Sequence, residues 1–325
     1  MTIPSFHVDL DLPPEERWRG IEAHKEAATD LLSYYVNDLG GLEQFKELLS
    51  SYRDAFVPPQ YVTEMRAIAT LIGRPEAEVL LSNLYYDAIK HLIGCTAFAI
   101  DTPDGPLHAR NLDWGTVNAM LSRHTLRVEY SRAGQPHFTV IGWPGYAGAL
   151  SGMAPNRFSV TLNAVLSDDP PELVPPVTFL LRDVLDTARN FDEAVTRLRD
   201  SPVTSDSLLL ISGVKQGEMV VIERSPKRAA VRTAVDGFVA LSNDYRSLPS
   251  TGSVGAVAAL AETSCRRFER AGELIAERRP TSPDECFAVL DDAKVRMDIT
   301  VQSMVFSASK GLAEVRLPRG SREGA

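Results

Sequence analysis

The sequence predicts an α+β protein in which β-sheets stack on each other and helices cover them on the outside. Three observations predict it. Apolar residues repeat at helical spacing through the first 94 residues, and the texture turns to short β-prone runs at Gly94-Cys95. Helices and strands then alternate in blocks to the end of the chain. At 325 residues and 44% hydrophobic, the chain is long and apolar enough for a sizeable core, in two domains or one large one. A net charge of -9 argues against a nucleic-acid binder, which would carry a basic stripe. Three cysteines, at 95, 265 and 286, are too few and too scattered for a disulfide scaffold.

Taken in order, Pro13-Pro14 and the acids of EERW mark a helix start, and Ile21, Ala28, Leu31, Leu32 and Val36 follow helical spacing to a stop at Gly40-Gly41. Residues 42–56 make a second helix, ended by Pro58-Pro59, and 61–72 a third, closed by Gly73. Pro75 opens a fourth through Leu80, Leu81, Leu84 and Tyr85. Residues 96–100 form a β-prone run, Pro103-Asp104-Gly105-Pro106 a turn, and 107–112 the returning strand. Strands follow at 125–131, 137–143 and 158–162, helices at 177–189 and 191–199, and strands at 208–212, 219–223 and 238–241. Helices at 264–277 and 283–294 and strands at 301–306 and 313–317 complete the order.

Residues 133–156 contain no Asp, Glu, Lys or Arg, but five glycines and three prolines break them, so they read as strands and turns and not as a membrane span of about 20 apolar residues. The opening residues carry no basic and apolar leader, and the expectation is a cytoplasmic protein with no stable membrane span.

The chemistry concentrates at Cys95. A lone cysteine is most often a small buried hydrophobe. Here, though, the hairpin it opens returns through His108-Ala109-Arg110-Asn111-Leu112-Asp113-Trp114, which brings Arg110 and Asp113 back beside it. A guanidinium beside a thiol favours the reactive thiolate; an Arg–Asp pair can equally cap a hairpin. A cut between Gly94 and Cys95 would free an α-amine that titrates near pH 8. That amine could act as base for its own thiol, with Asp113 holding the new ammonium. His91 and His108 flank the site and read as satisfied surface or core residues. The six histidines show no metal-binding spacing, so neither metal nor other cofactor is expected.

Gly94-Cys95-Thr96, HARNLDW (108–114), Gly145-Tyr146-Ala147-Gly148 with SGMAPNRFSVTLN (151–163), LSNDY (241–245), Cys265-Arg266-Arg267 and the opening DLDLPPEERW together resemble the acid ceramidase and N-acylethanolamine acid amidase family. The wider choloylglycine hydrolase superfamily includes bile-salt hydrolases and penicillin V acylases. The resemblance runs from about residue 8 to about 317. It implies an N-terminal nucleophile hydrolase with an αββα four-layer sandwich. The chain would cut itself into an α-segment, 1–94, and a catalytic β-segment, 95–325, which stay associated. It further implies Cys95 as nucleophile and base, Arg110 and Asp113 beside it, Asn243 in the oxyanion hole, and an active-site arginine in the Arg266-Arg267 pair, with Arg267 favoured. The sequence departs from the amidase pattern at Ala164, where that branch carries an acidic residue. The preceding Asn163 looks more like the bile-salt hydrolase and penicillin acylase branch and becomes a second oxyanion donor.

The expected substrate is an N-acyl amide, an N-acylethanolamine, N-acyl amino acid or ceramide-like molecule. Its acyl chain would lie in an apolar pocket. Candidate walls are Trp114 and, from the uncharged stretch, Phe138, Trp143, Tyr146 and Met153. Two other readings stand beside this one: a penicillin V acylase, bile-salt-hydrolase-like acylase or acyltransferase on the same scaffold, and a non-catalytic lipid-binding homologue. Residues 1–94 hold 15 acidic against 8 basic side chains, so the acidity belongs to the outer helices and says little about the substrate.

Overall fold

The computed structural model describes residues 3–89, 93–249 and 256–318. In chain order the elements are β1 (Ser5–Asp9), α1 (Lys25–Asp38), α2 (Lys46–Phe56), α3 (Pro59–Ile72), α4 (Glu76–Ile89), β2 (Ile93–Ile100), β3 (Leu107–Trp114), α5 (Met120–Arg123), β4 (Leu126–Arg132), β5 (Gln135–Gly142), β6 (Ser151–Ala154) and β7 (Phe158–Asn163). There follow α6 (Val177–Thr187), α7 (Phe191–Asp200), β8 (Ser207–Ser212), β9 (Met219–Arg224), β10 (Ala229–Thr233), β11 (Phe238–Leu241), α8 (Ala256–Glu277), α9 (Pro283–Leu290), β12 (Thr300–Ser307) and β13 (Leu312–Arg316). Local chemistry sets several boundaries. Pro59 opens α3 and Gly73 closes it at φ 70°, a left-handed conformation that favours glycine. The Asn190 and Ser282 side chains cap α7 and α9 by accepting the Glu193 and Glu285 N–H groups.

The strands form two sheets, one of eight in the order β1-β4-β5-β6-β7-β8-β9-β10 and one of five in the order β11-β2-β3-β12-β13. Ala97 and Ala99 of β2 meet Leu208, Leu210 and Val221 of β8 and β9, so the sheets face each other. Helices α6 and α7 cover the outer face of the larger sheet, and α8 and α9 that of the smaller, where Phe98 and Ala109 pack with Ala271 and Phe287. The result is the expected helix–sheet–sheet–helix sandwich. Each fully buried Leu, Ile or Phe between its layers contributes about 1.5–3 kcal/mol. Among the described residues, no helix is long and apolar enough to cross a membrane.

Three strands depart from the sequence expectation. β1 pairs in parallel with β4, Ser5 opposite Arg127, a partnership with no local signal. β6 is a four-residue strand of small side chains, and β10 is an edge strand with an exposed face, so neither carries the apolar run that marks a strand. In addition, α9 stops at Leu290, four residues before the expected end, and β2 begins at Ile93, running unbroken through Gly94-Cys95.

Candidate active site

The β2–β3 ladder assembles the centre. Cys95 lies opposite Leu112, Gly94 opposite Asp113, and Ala97 opposite Arg110. Paired residues share a face, so Cys95, Ala97, Arg110 and Leu112 point between the sheets, while Gly94, Thr96 and Asp113 point toward α8 and α9. Cys95 is fully buried. Nη2 of Arg110 lies 3.1 Å from its Sγ. The rest of that buried guanidinium donates to the Leu150 carbonyl (2.8 Å), the Ser151 hydroxyl and the Leu162 carbonyl, so the opposite sheet fixes its position.

On the other side of β2 the pairing with β11 starts only at Ala97, opposite Leu241. The Cys95 N–H therefore has no ladder partner there and donates to Oδ1 of Asn243 at 2.9 Å. Arg267 joins from α8: Nη2 donates to the same Oδ1 at 2.7 Å, and Nη1 to the Cys95 carbonyl and to the Thr96 hydroxyl at 2.8 Å. Arg267 is 1% exposed, whereas Arg266 and Cys265 beside it face solvent. The Ser264 hydroxyl accepts the Asn243 N–H and fixes the loop.

One Asp113 oxygen accepts from the Thr300 hydroxyl at 2.5 Å, and the other is buried without a partner among the described residues. A bulge between Thr300 and Gln302 in the β12–β3 register places Thr300 there. Burial raises the Asp113 carboxyl above its ordinary range, against the pull of Arg267, Thr300 and Arg110. A cation placed against the open oxygen, directly across the ladder from Gly94, would relieve that cost.

Cys95, Arg110, Asp113, Asn243 and Arg267 thus converge. Asn163 is also buried nearby, but its amide nitrogen donates to the Ser242 carbonyl at 2.9 Å, and its Oδ1 has no partner among the described residues. Asn243 likewise donates to the Ala164 carbonyl at 2.8 Å and, at 3.5 Å, to that of Ile93. Trp114, Trp143 and Tyr146 form a chain of edge-on rings, 5.9 and 6.0 Å between centroids, with Tyr85 and Tyr86 of α4 against Trp114. Two of the expected wall residues lie elsewhere. Met153 lines a separate cleft of about 510 Å³ with Arg127, Glu129 and Thr139, where β6 carries it away from the ring cluster. Phe138 stacks on Tyr130 at 4.1 Å and lines the same cleft. Thr300, Ser264 and Tyr86 were missed, because a bulge and the inward faces of α8 and α4 set their places and none leaves a motif.

His108 is a satisfied core residue; His91 lies outside the described residues. The His108 ring nitrogens sit 2.9 Å from the Ser159 and Thr161 hydroxyls. Burial, then the Arg110 charge, lowers its pKa from 6.5 to about 3. The neutral ring therefore contributes stability above pH 6.5 that is lost as pH falls toward 3, on the order of 4 kcal/mol over that window. Urea denaturation of His108→Gln is expected to show a shallower loss of stability from pH 6.5 to 3 than the wild type; parallel curves would refute it.

The model of the acyl-coenzyme A:6-aminopenicillanic acid acyl-transferase family matches residues 100–305, and that of the beta subunit of N-acylethanolamine-hydrolyzing acid amidase matches residues 1–41. The N-acylethanolamine-hydrolyzing acid amidase of Caenorhabditis elegans is 28% identical over 243 residues, 69% of this chain and 68% of that protein. The acid ceramidase of Balaenoptera acutorostrata scammoni is 27% identical over 258 residues, 68% of this chain and 63% of that protein. The chain thus spans about two thirds of the length of these curated relatives. The solved Caenorhabditis elegans N-acylethanolamine-hydrolyzing acid amidase ortholog superimposes with a TM-score of 0.57 at 25% identity, covering 70% of this chain and 97% of that one. These matches, on a four-layer sandwich with Cys95 at its centre, mean that the chain belongs to the acyl-coenzyme A:6-aminopenicillanic acid acyl-transferase family, with acid ceramidase and N-acylethanolamine-hydrolyzing acid amidase among its relatives.

Proposed function

We propose that this chain is a self-processing amidase that cuts the Gly94–Cys95 bond and then uses Cys95 to hydrolyse the amide bond of N-acyl amides. The observation that carries this reading is the open, buried oxygen of Asp113 opposite Gly94, one register step from Cys95, whose thiol Arg110 holds at 3.1 Å on the other face of the sheet. Cleavage would place a new ammonium next to that carboxylate. The freed α-amine takes the thiol proton, and sulfur attacks the carbonyl carbon of the substrate. The C=O electrons move to oxygen, where Asn243, Asn163 and a backbone N–H supply donors. Collapse breaks the C–N bond, with the proton passing from the ammonium to the leaving nitrogen. Water then hydrolyses the thioester to the acid and regenerates the thiol. Arg267 holds Asn243 and the Cys95 carbonyl in register throughout.

A second reading follows from the name of the matched family: an amine in place of water would intercept the thioester, giving acyl transfer. Both readings are tested on the purified full chain by intact mass over a range of pH and by a panel of N-acylethanolamines, N-acyl amino acids, ceramides and penicillin V. The expected result is masses of 1–94 and 95–325 and release of fatty acid from at least one N-acyl amide. A chain that stays uncut, carries no thiol label at Cys95 and cleaves none of the panel would end both.

A further inference from the structure

Tyr86 stands on α4, in the part of the chain before the expected cut. Its ring lies edge-on to Trp114, centroids 6.5 Å apart. Trp114 is the β3 residue opposite Ile93, two positions beyond Leu112 and so on the face of the sheet that carries Cys95. The Tyr86 side chain is 1% exposed, and its hydroxyl is buried with no hydrogen-bond partner among the described residues. Burial first, then the neighbouring Cys95, push the phenol well above its ordinary value, so it stays a protonated donor at any working pH. An unpaired buried hydroxyl is costly, and a catalytic role, with an acceptor that arrives with the substrate, is one explanation for it. The two asparagines beside the thiol, by contrast, each already commit one N–H to a backbone carbonyl, Asn163 to Ser242 and Asn243 to Ala164, which leaves at most one from each for the oxyanion.

We propose that Tyr86 is a catalytic residue whose hydroxyl donates to the carbonyl oxygen of the acyl group that Cys95 attacks. This rests on the amidase reading and deepens it. As the Sγ–C bond forms, the C=O electron pair moves onto oxygen and the thiol proton goes to the α-amine. Tyr86 hydrogen-bonds the new oxyanion without giving up its proton. On collapse the C=O re-forms, the C–N bond breaks and the ammonium protonates the leaving nitrogen. The residue comes from segment 1–94, so the cut enzyme would need that segment for chemistry as well as for folding.

The test is Tyr86→Phe in the full chain, assayed on whichever N-acyl amide the wild type hydrolyses and titrated with a long-chain acyl aldehyde. The aldehyde forms a thiohemiacetal on Cys95 that mimics the tetrahedral oxygen. The expected result is a fall in kcat of about 10²–10³-fold with KM little changed, the range for loss of one oxyanion donor, and a parallel loss of aldehyde affinity. The melting temperature should hold or rise, since the variant removes an unpaired buried hydroxyl, and Cys95 alkylation by iodoacetamide should keep its rate. A purely structural tyrosine would give the opposite, a lower melting temperature and an unchanged kcat. A kcat within two-fold of the wild type, or a loss confined to KM, overturns the proposal and leaves the amidase reading standing. A wild type that binds no aldehyde and cleaves no amide takes both down together.

Discussion

Cys95→Ala is expected to abolish cleavage between residues 94 and 95 and to reduce amide hydrolysis by about 10⁶-fold or to background, the scale seen when the nucleophile of a hydrolase is removed. The fold should survive. The alanine is smaller, and Arg110 keeps its bonds to Leu150, Ser151 and Leu162. The variant should therefore melt within a few degrees of the wild type as a single uncut chain, which separates lost chemistry from lost structure. The other thiols supply the control. Cys286 is buried, and burial, with Glu285 adding to it, pushes its thiol up to about 12, so it should resist alkylation in the folded protein. Cys265 is exposed and should label freely, but its replacement by alanine should leave activity intact. Mass mapping after alkylation, beside an amide-hydrolysis assay, reads all three. Hydrolysis that persists in Cys95→Ala, or that disappears with Cys265→Ala, would move the reaction away from this centre.

Much of this architecture was legible because its signals are local. Helical spacing with Pro and Gly punctuation marks α1 to α4, and the turn at Pro103-Asp104-Gly105-Pro106 fixes the β2–β3 hairpin, whose return delivers Arg110 to Cys95. The choice of Arg267 over Arg266 turns on which face of α8 meets the sheet. The resemblance anticipated that choice, and the burial of one side chain and the exposure of the other explain it. What stayed hidden depends on distant partners. β1 finds β4 across more than a hundred residues, and a bulge in β12 aims Thr300 at Asp113. Asn163 is expected to face an oxyanion; one of its two amide N–H groups meets a carbonyl of the loop after β11, a contact that spacing along the chain does not encode. Met153 misled for a related reason: it shares the inner face of β6 with Ser151, but an uncharged run suggests burial without saying which end of the sheet a side chain lines.

The same dependence on distant contacts makes Glu64 the position with the largest expected effect on stability. It lies on α3, is 0% exposed, and accepts from Arg182 of α6 (2.5 and 2.9 Å), from Arg17 (3.0 Å) and from the Trp18 indole (2.9 Å). Burial by itself would lower the Arg182 guanidinium's pKa; Glu64, with Tyr130 and Tyr61, reverses that and raises it. The cation also lies 4.8 Å over the Tyr61 ring and 5.0 Å over that of Tyr130, so it is enclosed on all sides. Glu64→Ala strips the carboxylate and leaves Arg182 charged, buried and unpaired, at a cost of about 3–5 kcal/mol. At roughly 2–4 °C per kcal/mol, the midpoint should fall by about 10 °C. Glu64→Leu with Arg182→Met should recover much of the loss, because it removes both charges and fills the space. Glu64 precedes residue 95 and Arg182 follows it, so after the proposed cut the pair would bridge two polypeptides. The alanine variant should then release segment 1–94 at lower urea than the wild type does, read by size exclusion of the cleaved protein. A midpoint within 2 °C of the wild type, with the segments still bound equally well, would show that this ion pair does not hold them together.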